Sequence, residues 1–237
     1  MAVRELNYNS HLYSISYEIV NPSCLKSIVF LHGWGSNKEI MKQAFSSHLK
    51  DFKHIYIDLP GFGASSIDSV IDTKDYKNII ELFLYSLHVE PFFVCGHSFG
   101  GKIASLMNPK NLVLLSSAGI LVPKSFEVRM KIKFFKLFKN IVPKNMYSLF
   151  ASSDVSGMSQ TMYEVLKKVV DEDFSDIFKN INSKTYIFWG KNDSATPLSS
   201  GKAISKLIKN SAFYPLDGDH FFFIKNSKFI ADKLERL

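Results

Sequence analysis

A serine, an aspartate and a histidine occupy three places in this 237-residue chain where each follows an apolar run of strand length. Ser98 is the centre of Gly96-His97-Ser98-Phe99-Gly100, behind Pro91-Phe92-Phe93-Val94-Cys95 and ahead of a helix start at Gly101-Lys102-Ile103-Ala104. A Gly-x-Ser-x-Gly segment between a strand and a helix forces a tight, strained turn that leaves the serine Oγ exposed at the end of the sheet. A serine hydroxyl is a poor nucleophile at neutral pH. It needs a base, an acid that orients the base, and donors for the oxyanion that develops on the attacked carbonyl. The chain order for such a turn is serine, acid, histidine. Asp193, in Gly190-Lys191-Asn192-Asp193 after the apolar run Thr185 to Trp189, is the candidate acid. His220, in Asp217-Gly218-Asp219-His220-Phe221, is the candidate base, and of the seven histidines it alone lies beyond Asp193.

The other titratable residues have plainer readings. No carboxylate occurs between Leu112 to Ser116 and Glu127, so that strand supplies no acid, and Asp217 and Asp219 lie in the turn that carries His220. The alternative for Asp193 is a solvated turn aspartate. His97 adjoins Ser98, but the turn directs its side chain away, and it reads as a packing residue. His32 reads as a structural loop residue, and His11, His48, His54 and His88 fit no catalytic pattern. The oxyanion donors are backbone N–H groups. One is Phe99, directly after the nucleophile; the other is Trp34, in Leu31-His32-Gly33-Trp34-Gly35, where two glycines let the backbone approach a ligand closely. The Trp34 ring is also a candidate wall for an acyl group.

The elements that must position these residues alternate along the chain. Val3 to Asn7 and Leu12 to Val20, joined through Tyr8-Asn9-Ser10, read as a hairpin. Strand-length apolar runs follow at 27–31, 54–58, 92–95, 112–116, 185–189 and 212–216, several of them unbroken, as in strands covered on both faces. Helical patterns fall at 38–49, 75–87, 102–107, 199–208 and 226–237. Such alternation predicts an α/β fold with a mostly parallel sheet and right-handed crossovers. Between Gly119 and Ser183 the pattern is helical only, so the chain divides into a core, residues 1–119 and 184–237, and an inserted helical cap, residues 120–183.

The cap carries most of the chain's excess charge. The net charge is +7, and residues 120–170 hold nine basic and three acidic residues. At 100° per residue Arg129, Lys133, Lys136 and Lys139 share one side of a helix, and Phe134, Leu137 and Phe138 the other. Phe134 and Phe138 are candidate substrate contacts. The basic side reads either as a solvated face over an apolar pocket or as a landing surface for an acidic partner or an anionic membrane. Only three of the 29 basic residues are arginine, so compositional drift toward lysine accounts for part of the charge but not for its clustering.

Composition narrows the class further. Two cysteines, Cys24 and Cys95, make no disulfide framework and point to a reducing, cytoplasmic setting. No signal-peptide core opens the chain and no apolar stretch reaches 18 residues. No zinc spacing or nucleic-acid signature occurs, so neither a metal, a cofactor nor a nucleic-acid partner is expected.

Four motifs in this order resemble the α/β-hydrolase superfamily over nearly the whole chain: His32-Gly33-Trp34-Gly35, Asp58-Leu59-Pro60-Gly61-Phe62-Gly63-Ala64-Ser65, Gly96-His97-Ser98-Phe99-Gly100-Gly101, and Asp193 with Pro197 before His220. The resemblance implies an eight-stranded sheet with a helical cap after the sixth strand, and serine ester hydrolysis by Ser98, Asp193 and His220. Serine at the nucleophile position argues against the dehalogenase and epoxide hydrolase branches, which use aspartate. The first two motifs look like the pimeloyl-carrier-protein methyl ester esterases of biotin synthesis, in which a basic cap receives an acidic acyl-carrier protein. That group often has Trp before the nucleophile, where this chain has His97. The carbon–carbon hydrolases of aromatic ring-fission products are the alternative, although they usually carry Asn before the serine and a different oxyanion loop. A ligand-binding receptor on the same fold is the alternative of another class.

Overall fold

The computed structural model describes residues 2–121 and 158–235. Its eight strands are β1 (Ala2–Tyr8), β2 (His11–Val20), β3 (Lys26–Leu31), β4 (Phe52–Ile57), β5 (Phe93–His97), β6 (Asn111–Leu115), β7 (Lys184–Gly190) and β8 (Ser211–Leu216). They form one sheet in the order β1-β2-β4-β3-β5-β6-β7-β8. The pairings β1–β2 and β2–β4 are antiparallel and the other five are parallel. The leading hairpin closes on Asn9 and Ser10, both at positive φ (48° and 64°), with Tyr8 opposite His11. A two-residue turn of this hand matches the right-handed twist of the strands it joins.

The unbroken apolar runs are explained by burial on both faces. Successive residues of each central strand enter opposite cores, as a period of two requires. Val29, Leu31, Val94, Leu112, Leu114, Ile187 and Trp189 join one cluster. Ile28, Phe30, Phe93, Cys95, Val113, Leu115, Tyr186 and Phe188 join the other. The first face is covered by α2 (Thr73–Ser86) and α3 (Phe99–Met107), and the second by α1 (Lys38–Phe45) and the terminal helix. Asp72 caps α2 through a reciprocal capping box with Asp75.

From residue 158 the described chain continues through α4 (Gln160–Val169) and α5 (Ser175–Lys179), then α6 (Leu198–Leu207) and α7 (Ser227–Leu234). Met162, Val165 and Val169 of α4 pack with Phe174 and Phe178 into the same cluster as Phe99 and Ile103. The candidate cap residues Arg129, Lys133, Phe134, Lys136, Phe138 and Lys139 lie outside the described residues. Several boundaries differ from the sequence reading by one to four residues, and two of these have a clear local cause. Helix α1 ends at Phe45 rather than 49, since Ser46-Ser47 are weak helix formers and Leu49 turns to φ 52°. Helix α3 begins at Phe99 rather than 101, because the turn at Ser98 hands the chain directly into the helix.

Candidate active site

Ser98 follows β5 and directly precedes the first residue of α3, with φ 51° and ψ −113°. A non-glycine residue held there costs about 1–3 kcal/mol, so surrounding contacts must fix it. The Ser98 N–H donates to the Leu115 carbonyl (3.1 Å), and the Ser98 carbonyl accepts from the N–H groups of Gly101 and Ala118 (3.0 Å each). The flanking glycines are sterically required. A Cβ on Gly96 would run into the backbone of Gly100, and one on Gly100 into the carbonyls of Leu31 and His32. The strand, the helix and the loop after β3 thus meet at van der Waals distance around the serine.

Asp193 leaves the carboxyl end of β7 and His220 follows β8, and the structure brings the two together. His220 Nδ1 donates to Asp193 Oδ2 at 2.7 Å. Asp193 Oδ1 accepts from the N–H groups of Ala195 and Thr196, both at 2.9 Å, and Thr196 Oγ1 lies 2.9 Å from Asp193 Oδ2. The Asp193 side chain is fully buried. Burial alone would raise its pKa, but the hydrogen bonds from His220 and Thr196 and the charge of His220 outweigh that and hold it below the usual carboxylate range. Thr196 was not singled out from the sequence. Its hydroxyl also lies 3.1 Å from the Ser116 carbonyl and 3.3 Å from His220 Nδ1, tying the acid loop to the end of β6.

The two candidate oxyanion residues also lie side by side. The rings of Trp34 and Phe99 meet edge to face with centroids 5.5 Å apart. Phe99 is in the first turn of α3, where helix geometry leaves N–H groups without an intrahelical acceptor. Trp34 occupies the tight turn closed by Ser36 N–H to the Gly33 carbonyl at 3.3 Å. His32 holds this loop in place. It is fully buried, its Nδ1 donates to the Gly33 carbonyl (2.8 Å), and its Nε2 accepts from Leu59 N–H (3.0 Å). Burial lowers its pKa to about 4 despite the Gly33 bond and nearby Asp58, so the ring is neutral, as a structural role requires.

Beside Ser98 opens a cavity of about 370 Å³ lined by Trp34, Phe99, Ile120, Leu166, Val169 and Thr196, with Lys102, Asp171 and Glu172 adding charge. Lys102 reads from the sequence as an ordinary helix residue, yet it is only 2% exposed. Its Nζ donates to the Val169 carbonyl at the end of α4 (2.6 Å) and to Glu172 Oε2 (2.5 Å), and it lies 4.5 Å from the centre of the Phe174 ring. Thr73 Oγ1 donates to the same carboxylate oxygen. Burial pushes Lys102 below the usual lysine range, opposed by the Glu172 hydrogen bond and charge. These bonds join α3, the helix that follows Ser98, to the end of α4 and the residues just after it. Among the described residues, no three His, Cys, Asp or Glu side chains converge as a metal site would require.

The profile of the alpha/beta hydrolase family matches residues 28–233, and the chain belongs to that family. Among curated proteins it is similar to a 2-succinyl-6-hydroxy-2,4-cyclohexadiene-1-carboxylate synthase of Escherichia coli, 30% identical over 95 residues, which cover 40% of this chain and 36% of the relative. The chain therefore spans about a third of the length of the curated relatives it matches. Among solved structures, the enol-lactonase of Burkholderia xenovorans LB400 superposes with a TM-score of 0.77 at 14% identity, covering 98% of each chain. An esterase of Exiguobacterium antarcticum superposes with a TM-score of 0.74 at 20% identity, over 94% of this chain and 95% of its own. At such identities these likenesses concern the fold. No helix among the described residues is long and apolar enough to cross a membrane.

Proposed function

We propose that this chain is a serine-dependent carboxylic ester hydrolase. Ser98 Oγ attacks the ester carbonyl carbon while His220 takes the hydroxyl proton, and Asp193 stabilises the imidazolium that forms. The N–H groups of Trp34 and Phe99 hold the oxyanion. The intermediate collapses, the C–O bond to the alcohol breaks, and His220 returns the proton to the departing oxygen. Water then attacks the acyl-enzyme with His220 again as base, releasing the acid and restoring Ser98. Residues 120–183 act as a helical cap over this centre, and Trp34, with Phe134 and Phe138 from the cap, walls the acyl chain.

The observation that carries the reading is the 2.7 Å bond from His220 to Asp193, taken together with the strained turn that holds Ser98. Thr196, in contact with His220, lines the same cavity as Ser98, which supports a shared centre. With p-nitrophenyl acetate and butyrate, Ser98→Ala should lose at least about 10³-fold in kcat/KM. Unchanged turnover would end the assignment.

The finer reading is an acyl ester linked to an acidic acyl-carrier protein that docks on Arg129, Lys133, Lys136 and Lys139, as in a carrier-linked methyl ester of biotin synthesis. It draws support from the six-charge excess of residues 120–170. Raising salt from 50 to 500 mM should then raise KM for the carrier-linked methyl ester and leave that of the free ester unchanged, since exposed charges are screened beyond about 8–10 Å near physiological ionic strength. Equal salt response would remove the carrier. A second reading takes its support from the curated relatives, as a synthase of 2-succinyl-6-hydroxy-2,4-cyclohexadiene-1-carboxylate. Appearance of that product in a direct assay would favour it over ester hydrolysis.

A further inference from the structure

His97 is buried at the junction of the three parts that the hydrolase reading needs. It shares the β5 face of Phe93 and Cys95, opposite to that of Val94, so its side chain points away from Ser98, as the sequence implied. What lies there is the loop of the base. The imidazole is 1% exposed, and its Nε2 is 3.0 Å from the backbone carbonyl of His220. Its ring centre lies 4.6 Å from that of His220 and 4.8 Å from that of Phe223. On a third side it meets the oxyanion loop, since a Cβ built on Gly33 would lie 3.0 Å from His97 Nδ1 and 3.1 Å from Ser98 Cβ.

A carbonyl oxygen only accepts, so Nε2 must carry the proton. In the neutral ring Nδ1 is then a bare acceptor, and that atom is buried without a hydrogen-bond partner. An unsatisfied buried nitrogen costs free energy that an apolar ring of the same size would avoid. Packing alone therefore does not account for a histidine here, whereas its single N–H donor does.

Resting on the assignment of Ser98 and His220 above, we infer that His97 is a positioning residue for the catalytic base. Its Nε2–H bond to the His220 carbonyl fixes the loop carrying the imidazole against the strand carrying the nucleophile. Burial, then the neighbouring His220, lower the His97 pKa to about 3, with His32 acting in the same direction and the His220 carbonyl and Asp193 opposing. The donor consequently stays neutral and keeps its tautomer through the pH range in which a serine–histidine pair operates. Misplacing the base by a fraction of an ångström slows proton transfer without touching the acyl cavity, so the role belongs to kcat rather than to KM.

Two substitutions separate positioning from packing because they predict opposite orders. His97→Gln keeps an N–H at comparable reach and loses the ring; His97→Phe keeps the ring and loses the donor. With p-nitrophenyl butyrate, positioning predicts kcat within about 5-fold of the parent for Gln, at least about 30-fold lower for Phe, and KM within about 2-fold for both. Phe at parent-like kcat with Gln impaired would overturn the inference. A measurement on the unsubstituted protein does not depend on either variant folding. Imidazole ¹⁵N spectra between pH 5 and 8 should show the His97 ring protonated at Nε2 and bare at Nδ1 throughout, and an Nδ1–H tautomer would overturn the inference by itself. If Ser98→Ala retained turnover, the hydrolase reading would fail. If Ser98→Ala were inactive and the Gln/Phe order reversed, only the role of His97 would fall.

Discussion

On the side of Ser98 where the proposed acid and base lie, Asp193 is satisfied by Ala195 and Thr196 of its own loop and by His220. On the cavity side, where an acyl chain is proposed to bind, the wall is joined to the helix after Ser98 by Lys102 and Glu172, seventy residues apart in the chain. The first arrangement is local and over-determined: losing one bond leaves others to hold the carboxylate. The second depends on a single ammonium whose donors reach a carbonyl, a carboxylate and a ring face from one position. The comparison separates two kinds of failure. Damage on the acid–base side should appear in the chemical step, and damage on the acyl side in stability and in selectivity for the acyl chain.

The largest effect is expected at Asp193. Asn keeps an oxygen for the N–H groups of Ala195 and Thr196 but turns its NH₂ toward His220 Nδ1, which favours the wrong tautomer. We expect Asp193→Asn to lower kcat about 10³–10⁴-fold while the melting temperature changes little. A large loss of stability with modest loss of kcat would mean that the acid loop serves folding rather than chemistry.

An intermediate effect is expected at Lys102. Replacement by Met strands the Val169 carbonyl and leaves Glu172 without its cation. Removing one partner of a fully buried pair costs about 3–5 kcal/mol, and because Glu172 is 29% exposed we expect about 2 kcal/mol here, with water recovering the rest. Turnover of p-nitrophenyl acetate should survive, whereas KM for hexanoate should rise on the order of 10-fold as the wall formed by Leu166 and Val169 loosens. The double variant Lys102→Met/Glu172→Gln should be more stable than Lys102→Met alone. Equal loss on acetate and hexanoate would erase the proposed division between the two sides.

The smallest effect on turnover at neutral pH is expected from the buried histidines, which instead set a slope of stability in acid. His32 and His97 are neutral when folded, with pKa values of about 4 and about 3 against 6.5 for a free imidazole, and His54 is lowered in the same direction by burial. The unfolded chain takes up these protons as pH falls below 6.5, so it binds more protons than the folded state. Stability must then fall with pH, by up to about 1.4 kcal/mol per pH unit for each histidine. Asp58 and Asp193, whose pKa values are depressed, contribute with the same sign only below about 3.8, where a free aspartate takes up its proton. Urea melts at pH 7.5, 6.0 and 5.0 should show the loss already at pH 5, and His97→Phe should remove one share of it. A flat profile over that range would show that the rings are charged in the folded state.

Much of this arrangement is legible in the sequence where a residue's role follows from its neighbours along the chain. The central strands are unbroken apolar runs because helices cover both their faces, and Ser98, Asp193 and His220 each stand just past the end of such a run. Lys102 could not be read this way. A helical lysine reads as solvated until its partners are known, and Glu172, Thr73 and Phe174 reach it only through tertiary packing. His97 shows an intermediate case. The alternation of β5 states which face it occupies, but not that the loop after β8 returns to that face and offers a carbonyl. Thr196 was hidden because its signal, a hydroxyl three residues after the acid, has meaning only once the loop is folded back on Asp193.

The assignment of nucleophile and base can be tested by locating the adduct of a fluorophosphonate on the native protein. The account predicts one adduct per chain, on the peptide containing Ser98, formed at least about 10³-fold more slowly in His220→Ala. Labelling at another residue, or labelling undiminished in Ser98→Ala, would contradict it.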